Sequence, residues 1–241
     1  MNGTPILEVR GGSRFFGKFQ ALNNISVSFM AGELTAIIGP NGAGKSTFFN
    51  LISGGVPPSQ GQVLFEGRDI TGLAPHAFAR IGIAKSFQIT NVFKQLSAHE
   101  NVRVALQMRA TRFQIFRARS AYRELIERAD ALMHRVGLID SRNKLAGDLA
   151  HGQQRSLEVA MALACDPKLL LMDEPTAGMS PQESAVMMGL IKQLAAERTV
   201  ILVEHILLPG ELGFMHLVLR RSGAVPPGRH GGVQGLQAAG R

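Results

Sequence analysis

The stretch Gly39-Pro40-Asn41-Gly42-Ala43-Gly44-Lys45-Ser46-Thr47 decides the reading of this chain. It fits the phosphate-cradling pattern G-x-x-x-x-G-K-[ST] in the setting which that pattern requires. Upstream, Leu34-Thr35-Ala36-Ile37-Ile38 is an apolar, β-branched run that reads as a buried strand. Downstream, Ser46 to Ile52 reads as a helix that stops at Gly54-Gly55. Three glycines let the backbone curl so that successive N–H groups point inward. The helix N-terminus adds a partial positive charge toward an anion. Lys45 is then placed to reach the β- and γ-phosphates of a bound nucleotide, and the Ser46 hydroxyl to ligate Mg²⁺.

A second stretch completes that chemistry. Leu169-Leu170-Leu171-Met172-Asp173-Glu174 is an apolar strand ending in two carboxylates, which places them at the carboxyl edge of a sheet beside the phosphate loop. Asp173 is expected to hold Mg²⁺ through water. Glu174 is expected to orient and polarise the attacking water for in-line displacement at the γ-phosphorus.

The bulk numbers bound the rest. At 241 residues, with 45% hydrophobic and 18% charged, the chain has room for one substantial domain or two small ones. The single cysteine, Cys165, excludes an internal disulfide, suits a reducing compartment and reads as a small buried apolar residue. Met1 to Pro5 leads into strand-like sequence, so no signal peptide is expected, and no apolar run reaches the ~20 residues of a membrane helix. The net charge of +8 is local. Arg103, Arg109, Arg112, Arg117, Arg119, Arg123, Arg128 and Arg135 face only Glu124, Glu127 and Asp130. Such a patch suits a solvated or lipid-facing surface. Aromatic interleaving is thin there (Phe113, Phe116, Tyr122), so no nucleic-acid partner is expected.

Strand-period alternation in Ile6 to Arg10 and Ile25 to Phe29, with Gly61 to Gly67, predicts an antiparallel flank to the nucleotide-binding sheet. Leu169 to Met172 and Val200 to Val203 are continuous apolar runs of the kind found in central strands. Tyr122, Leu125, Ile126, Ala129, Leu132, Met133 and Val136 form one helix face ending near Gly137. Ser180-Pro181-Gln182-Glu183 is a capping box with proline in the first turn. The fold read from these signals is an α/β phosphate-loop core (1–88 and 165–205) interrupted by a helical subdomain over 89–164.

Leu149-Ala150-His151-Gly152-Gln153-Gln154-Arg155 opens a helix whose core face is Leu157, Ala160, Met161 and Ala164. Here the chain resembles the ATP-binding cassette (ABC) family, whose signature L-S-G-G-Q precedes just such a helix; the resemblance covers residues 6 to 205. It implies a head-to-tail dimer in which the signature of one subunit, here Ala150, Gly152 and Gln153, closes over the ATP held by the phosphate loop of the other. It also implies that adenine stacks on Phe16, that Gln88 contacts metal and water, and that His205 is the switch histidine at the γ-phosphate. Two departures stand out: Ala150 replaces the signature serine and His151 a glycine. Loss of that hydroxyl removes one hydrogen bond, about 1 kcal/mol, and predicts a weaker contact in trans. Ser180 stands where the family often shows Asp.

The signature with Glu158, the run Asp173 to Pro181, and Leu96-Ser97-Ala98-His99-Glu100-Asn101-Val102 resemble the ATPases of high-affinity branched-chain amino acid importers and their amide or urea relatives. That branch implies a second ATPase subunit, membrane permeases, a periplasmic solute-binding protein, and work at the cytoplasmic face of the membrane. The alternatives are a nucleotide-dependent clamp with little turnover, or a cassette ATPase of a lipid-export or non-transport system. Beyond His205 the resemblance fails. Eight glycines and three prolines fall within residues 206–241, and periodicity vanishes after Val218-Leu219. A shifted reading frame, or a divergent tail of the same composition, is expected there, with the closing elements of the fold lost.

Overall fold

The computed structural model describes residues 4–86, 92–110, 119–204, 215–221 and 236–238. Chain order is β1 (Pro5–Phe16), β2 (Phe19–Met30), β3 (Leu34–Ile38), α1 (Lys45–Ile52), β4 (Gln60–Phe65), β5 (Arg68–Asp69), α2 (Pro75–Ile81) and β6 (Ile83–Ser86). There follow α3 (Ala98–Ala110), α4 (Arg119–Arg135), α5 (His151–Ala164), β7 (Leu169–Asp173), α6 (Pro181–Ala195), β8 (Thr199–Val203), β9 (Met215–Arg221) and β10 (Leu236–Ala238).

Two sheets form. β2-β1-β4-β5 is wholly antiparallel, as the alternating strands predict, and β10-β9-β3-β8-β7-β6 is wholly parallel. β3, β7 and β8 are buried on both faces, and the two-residue side-chain period splits them between two cores. Ala36, Leu170, Met172, Val200 and Leu202 pack toward α3, α4, α5 and α6. Ile37, Leu169, Leu171, Ile201 and Val203 pack toward α1 and the antiparallel sheet. Because β3, β7 and β8 lie side by side in register, the loops leaving their carboxyl ends emerge together. Those loops carry Gly39–Gly44 and Glu174–Ser180, and Glu204 follows β8 at the same edge; an α/β sheet binds ligands there.

The helical region behaves as its stripe predicts: Leu125, Ala129 and Met133 of α4, with Val136 just beyond its end, are buried in the core shared with α3 and α5. Within the basic segment, Arg103 pairs with Glu100, Arg123 with Glu127 and Arg135 with Glu197, so part of its excess charge is neutralised locally. Two expectations are corrected. Cys165 is only half-buried, because it caps the carboxyl end of α5 where the helix meets a groove. The tail also keeps elements: β9 pairs parallel with β3 and β10 with β9, since Met215 to Leu219 remains apolar enough to extend the sheet.

Candidate functional site

The phosphate loop is built by three backbone facts. β3 delivers the chain to Gly39, Gly42 and Gly44 take positive φ (77° and 89°), and α1 begins directly at Lys45. Gly44, at the N-cap of α1, has no Cβ to oppose the left-handed turn. Its carbonyl accepts from Phe48 N–H at 2.8 Å, and Ala43 N–H donates to Pro40 O at 3.2 Å. Phe48, Phe49 and Ile52, fully buried, anchor the helix so that its amino end stays aimed at the loop. Ala43 is fully buried beneath the loop, whereas Pro40, Asn41, Gly42 and Ser46 face outward and Thr47 is half-buried.

The Lys45 ammonium is 5% exposed and donates to Gly39 O (2.6 Å) and Pro40 O (3.1 Å), which stretches it across the mouth of the loop. Burial pushes its pKa down, and the negative charge of Glu174 opposes that shift. A buried cation held at a helix start beside a glycine loop is the kind of donor set a polyphosphate needs.

Asp173 ends β7 and is 6% exposed. Glu174 follows with φ 46°, a left-handed conformation that costs a non-glycine residue on the order of 1 kcal/mol. It is held there by its N–H donating to Val203 O at 3.0 Å. The turn that results lifts the carboxylate off the sheet edge toward the lysine loop.

Phe16 ends β1, 46% exposed, beside the equally exposed Phe19 with which it pairs across the hairpin. Arg14 lies over its ring at 4.8 Å from the centroid, leaving one aromatic face outward. Ala150 is the exposed N-cap of α5; it has no side-chain hydroxyl, its carbonyl accepts from Gln154 N–H at 2.9 Å, and the Gln153 side chain accepts from Ala150 N–H at 3.2 Å. Gly152 is buried one turn into the helix. Phe16, Ala150, Gly152 and Gln153 do not line the phosphate loop. Gln88 and His205 lie outside the described residues.

Sequence reasoning passed over two further groups at this edge. Glu204, 9% exposed, accepts from the Thr176 hydroxyl at 2.9 Å and fastens the loop after Glu174 to the end of β8. Lys85 on β6 donates to Asn50 Oδ1 at 2.9 Å and sits 4.8 Å from the Phe49 ring centroid. Burial lowers its pKa, and the charge of Asp173 opposes the shift. A capping motif flags neither residue, because each contact joins segments distant in sequence. Behind Lys85 a groove of about 360 Å³ runs between the core and the helical region, walled by Phe78, Ala105, Met161, Ala162 and Cys165, with Glu158 at its side. Gly54, φ 75°, keeps this region tight: a Cβ there would stand 2.3 Å from the Phe78 ring.

A parallel sheet with a lysine-bearing glycine loop at one strand end and paired carboxylates at a neighbouring one defines a phosphate-loop nucleoside triphosphatase. The ABC transporter family model matches residues 22–177, and the chain belongs to that family as a nucleotide-binding ATPase subunit. Among curated proteins, it is 38% identical over 209 residues to the high-affinity branched-chain amino acid transport ATP-binding protein BraF of Pseudomonas aeruginosa. That match covers 83% of this chain and 82% of BraF. To LivG of Escherichia coli, of the same description, it is 35% identical over 210 residues, covering 83% and 82%. Among solved structures, the ADP conformation of the ABC transporter cassette MJ1267 superposes with a TM-score of 0.76 at 29% identity, covering 89% of this chain and 87% of that one. A dimeric, post-hydrolysis cassette bound to ADP and Pi, MJ0796, gives a TM-score of 0.74 at 28% identity, covering 88% and 94%. Among the described residues no helix is long and apolar enough to cross a membrane.

Proposed function

We propose that this chain energises an importer for branched-chain amino acids or related amides or urea, from the cytoplasmic face of the membrane. The observation that carries the reading is the Lys45 loop set against Asp173-Glu174, in a chain whose curated relatives BraF and LivG bear that description. ATP lies with its phosphates on residues 39–47 and its adenine on Phe16. Lys45 neutralises charge on the β- and γ-phosphates. Glu174 accepts the proton of the attacking water, and its strained turn keeps the carboxylate clear of the sheet. Ser46, with Asp173 and Gln88 through water, fits Mg²⁺, an ion that takes few protein ligands beside substrate phosphates. When bound it supplies charge neutralisation at the transferring phosphoryl group. His205 faces the γ-phosphate after β8.

The second half of each site comes in trans, from the α5 tip at Ala150, Gly152 and Gln153. Closure on ATP and reopening after hydrolysis shift the permeases between states by differential binding. Gln88 and the segment from Phe93 to Asn101 face the permeases. Asn101, fully buried, pins that segment by accepting from Phe93 N–H at 2.8 Å and donating to Ser97 O at 2.9 Å. Phe93, Leu96 and Leu145 stand exposed around it, an apolar surface a permease would cover. The solute enters through a periplasmic binding protein and never touches this chain.

Ala150 favours a second reading, a clamp that closes on nucleotide with little turnover, because the missing hydroxyl weakens the trans contact. Reconstitution with the cognate permeases separates the two. An importer gives ATP-dependent leucine uptake that Glu174→Gln abolishes. Closure on ATP without uptake or phosphate release supports the clamp instead.

A further inference from the structure

The signature tip and the loop that begins at Glu174 are joined within one chain, at a place where this sequence departs from its family. Glu183, at the third position of α6, accepts from Ser180 N–H at 2.9 Å and from the Ser180 hydroxyl at 2.8 Å. The same carboxylate reaches the first turn of α5: a Cβ on Gly152 would stand 2.7 Å from Glu183 Oε1, so only a glycine admits it that closely. On the other side, the His151 ring lies over Gly178, whose Cβ position is 3.3 Å from His151 Cε1. Gly178 carries φ 74°, so it is glycine on conformational grounds as well. The Glu183 carboxyl is held below its usual range, by Ser180 N–H first, then the Ser180 hydroxyl, with Gly152 N–H and the His151 charge adding to it.

We infer that Glu183 is a positioning residue, a clasp that with His151 locks the α5 tip to the Glu174–Ser180 loop so that the two move as one body. The inference rests on the trans role proposed above for that tip. Its consequence is regulatory. ATP held by the partner engages the tip of this chain, and the clasp carries that displacement to the loop bearing this chain's own Glu174. Seating in one site thereby sets the carboxylate in the other. Thr176, fastened to Glu204, gives the loop a fixed end against which the displacement acts.

The test uses the full chain with its cognate cassette and permeases, reading kcat, KM for ATP, ATP-driven association, and ATP affinity of the single chain. Glu183 is half-exposed, so its truncation leaves the core intact. Glu183→Ala is expected to lower kcat about tenfold and weaken ATP-driven association about tenfold, while single-chain ATP affinity holds within twofold. Glu183→Gln keeps one oxygen to accept from Ser180 N–H, and so keeps the start of α6, but turns an NH2 group toward Gly152 N–H; it is expected to lose kcat nearly as far as Glu183→Ala while Tm holds. Ile191→Val, a mild core truncation in the same helix, is expected to lower Tm and leave kcat unchanged. The inference is overturned if Glu183→Ala or Glu183→Gln keeps wild-type kcat, or if Ile191→Val reproduces the loss, since helix stability alone then explains it. A wild-type chain that hydrolyses no ATP in the assembly would instead remove the proposed function, and this inference with it.

Discussion

The phosphate loop and the signature tip are both helix amino ends, yet they are built in opposite ways. The first is enclosed by its own chain: Lys45 is buried, α1 is anchored by Phe48 and Phe49, and the Asp173-Glu174 turn closes the far side. The second projects outward, with Ala150 exposed at its cap and Glu183 and Gly178 packed behind it. In the reading proposed above, the first is the half that holds nucleotide within one chain, and the second is the half that closes over the nucleotide of a second cassette. Substitutions in the enclosed half should therefore act on nucleotide binding and chemistry in a single chain, and those at the tip on association.

The comparison breaks most visibly at Glu174. Glu174→Gln is expected to slow phosphate release on the order of a thousandfold, because general-base assistance contributes 10²–10⁴ in rate. Nucleotide affinity should stay within a fewfold; a steady-state phosphate assay beside equilibrium binding checks both. Next is Lys45→Ala, which removes a charged donor from the loop and should weaken ATP binding by about a hundredfold, about 2.7 kcal/mol, in a single-chain titration. Phe16→Ala removes the adenine platform and should cost about tenfold in ATP affinity, with a smaller loss for a triphosphate lacking a base. Smallest is Ala150→Ser, which returns one hydroxyl to the trans contact and should strengthen ATP-driven association about fivefold, about 1 kcal/mol. Single-chain affinity is expected to stay put. A change in the isolated chain would place Ala150 in the enclosed half and break the contrast.

The enclosed half was legible because its signals are local. Three glycines, a lysine and a hydroxyl occupy nine consecutive residues after an apolar strand, and two carboxylates end another; their meeting follows once β3, β8 and β7 pair in parallel. What stayed hidden was long-range. Lys85 meets Asn50 across 35 residues and Thr176 meets Glu204 across 28, and no periodicity records either pairing. α3 carries a weaker signal: Ala98, Val102 and Leu106 are buried four residues apart, but His99, Glu100, Arg103 and Gln107 between them obscure the period. The capping box at Ser180 was read as a helix start, which it is. That its glutamate also reaches Gly152 depends on how α5 and α6 approach, information a linear pattern does not carry. In the tail, glycine and proline masked Met215 to Leu219, which finds a strand partner in β3.

The central claim is that ATP is held between two cassettes, this chain giving its lysine loop to one site and its Gly152 tip to the other. Light scattering on the Glu174→Gln form, mixed with its cognate cassette with and without ATP and Mg²⁺, tests it most directly. The account predicts a stable dimer that appears only with ATP and retains nucleotide at both sites. Particles of monomer mass at saturating ATP would contradict it.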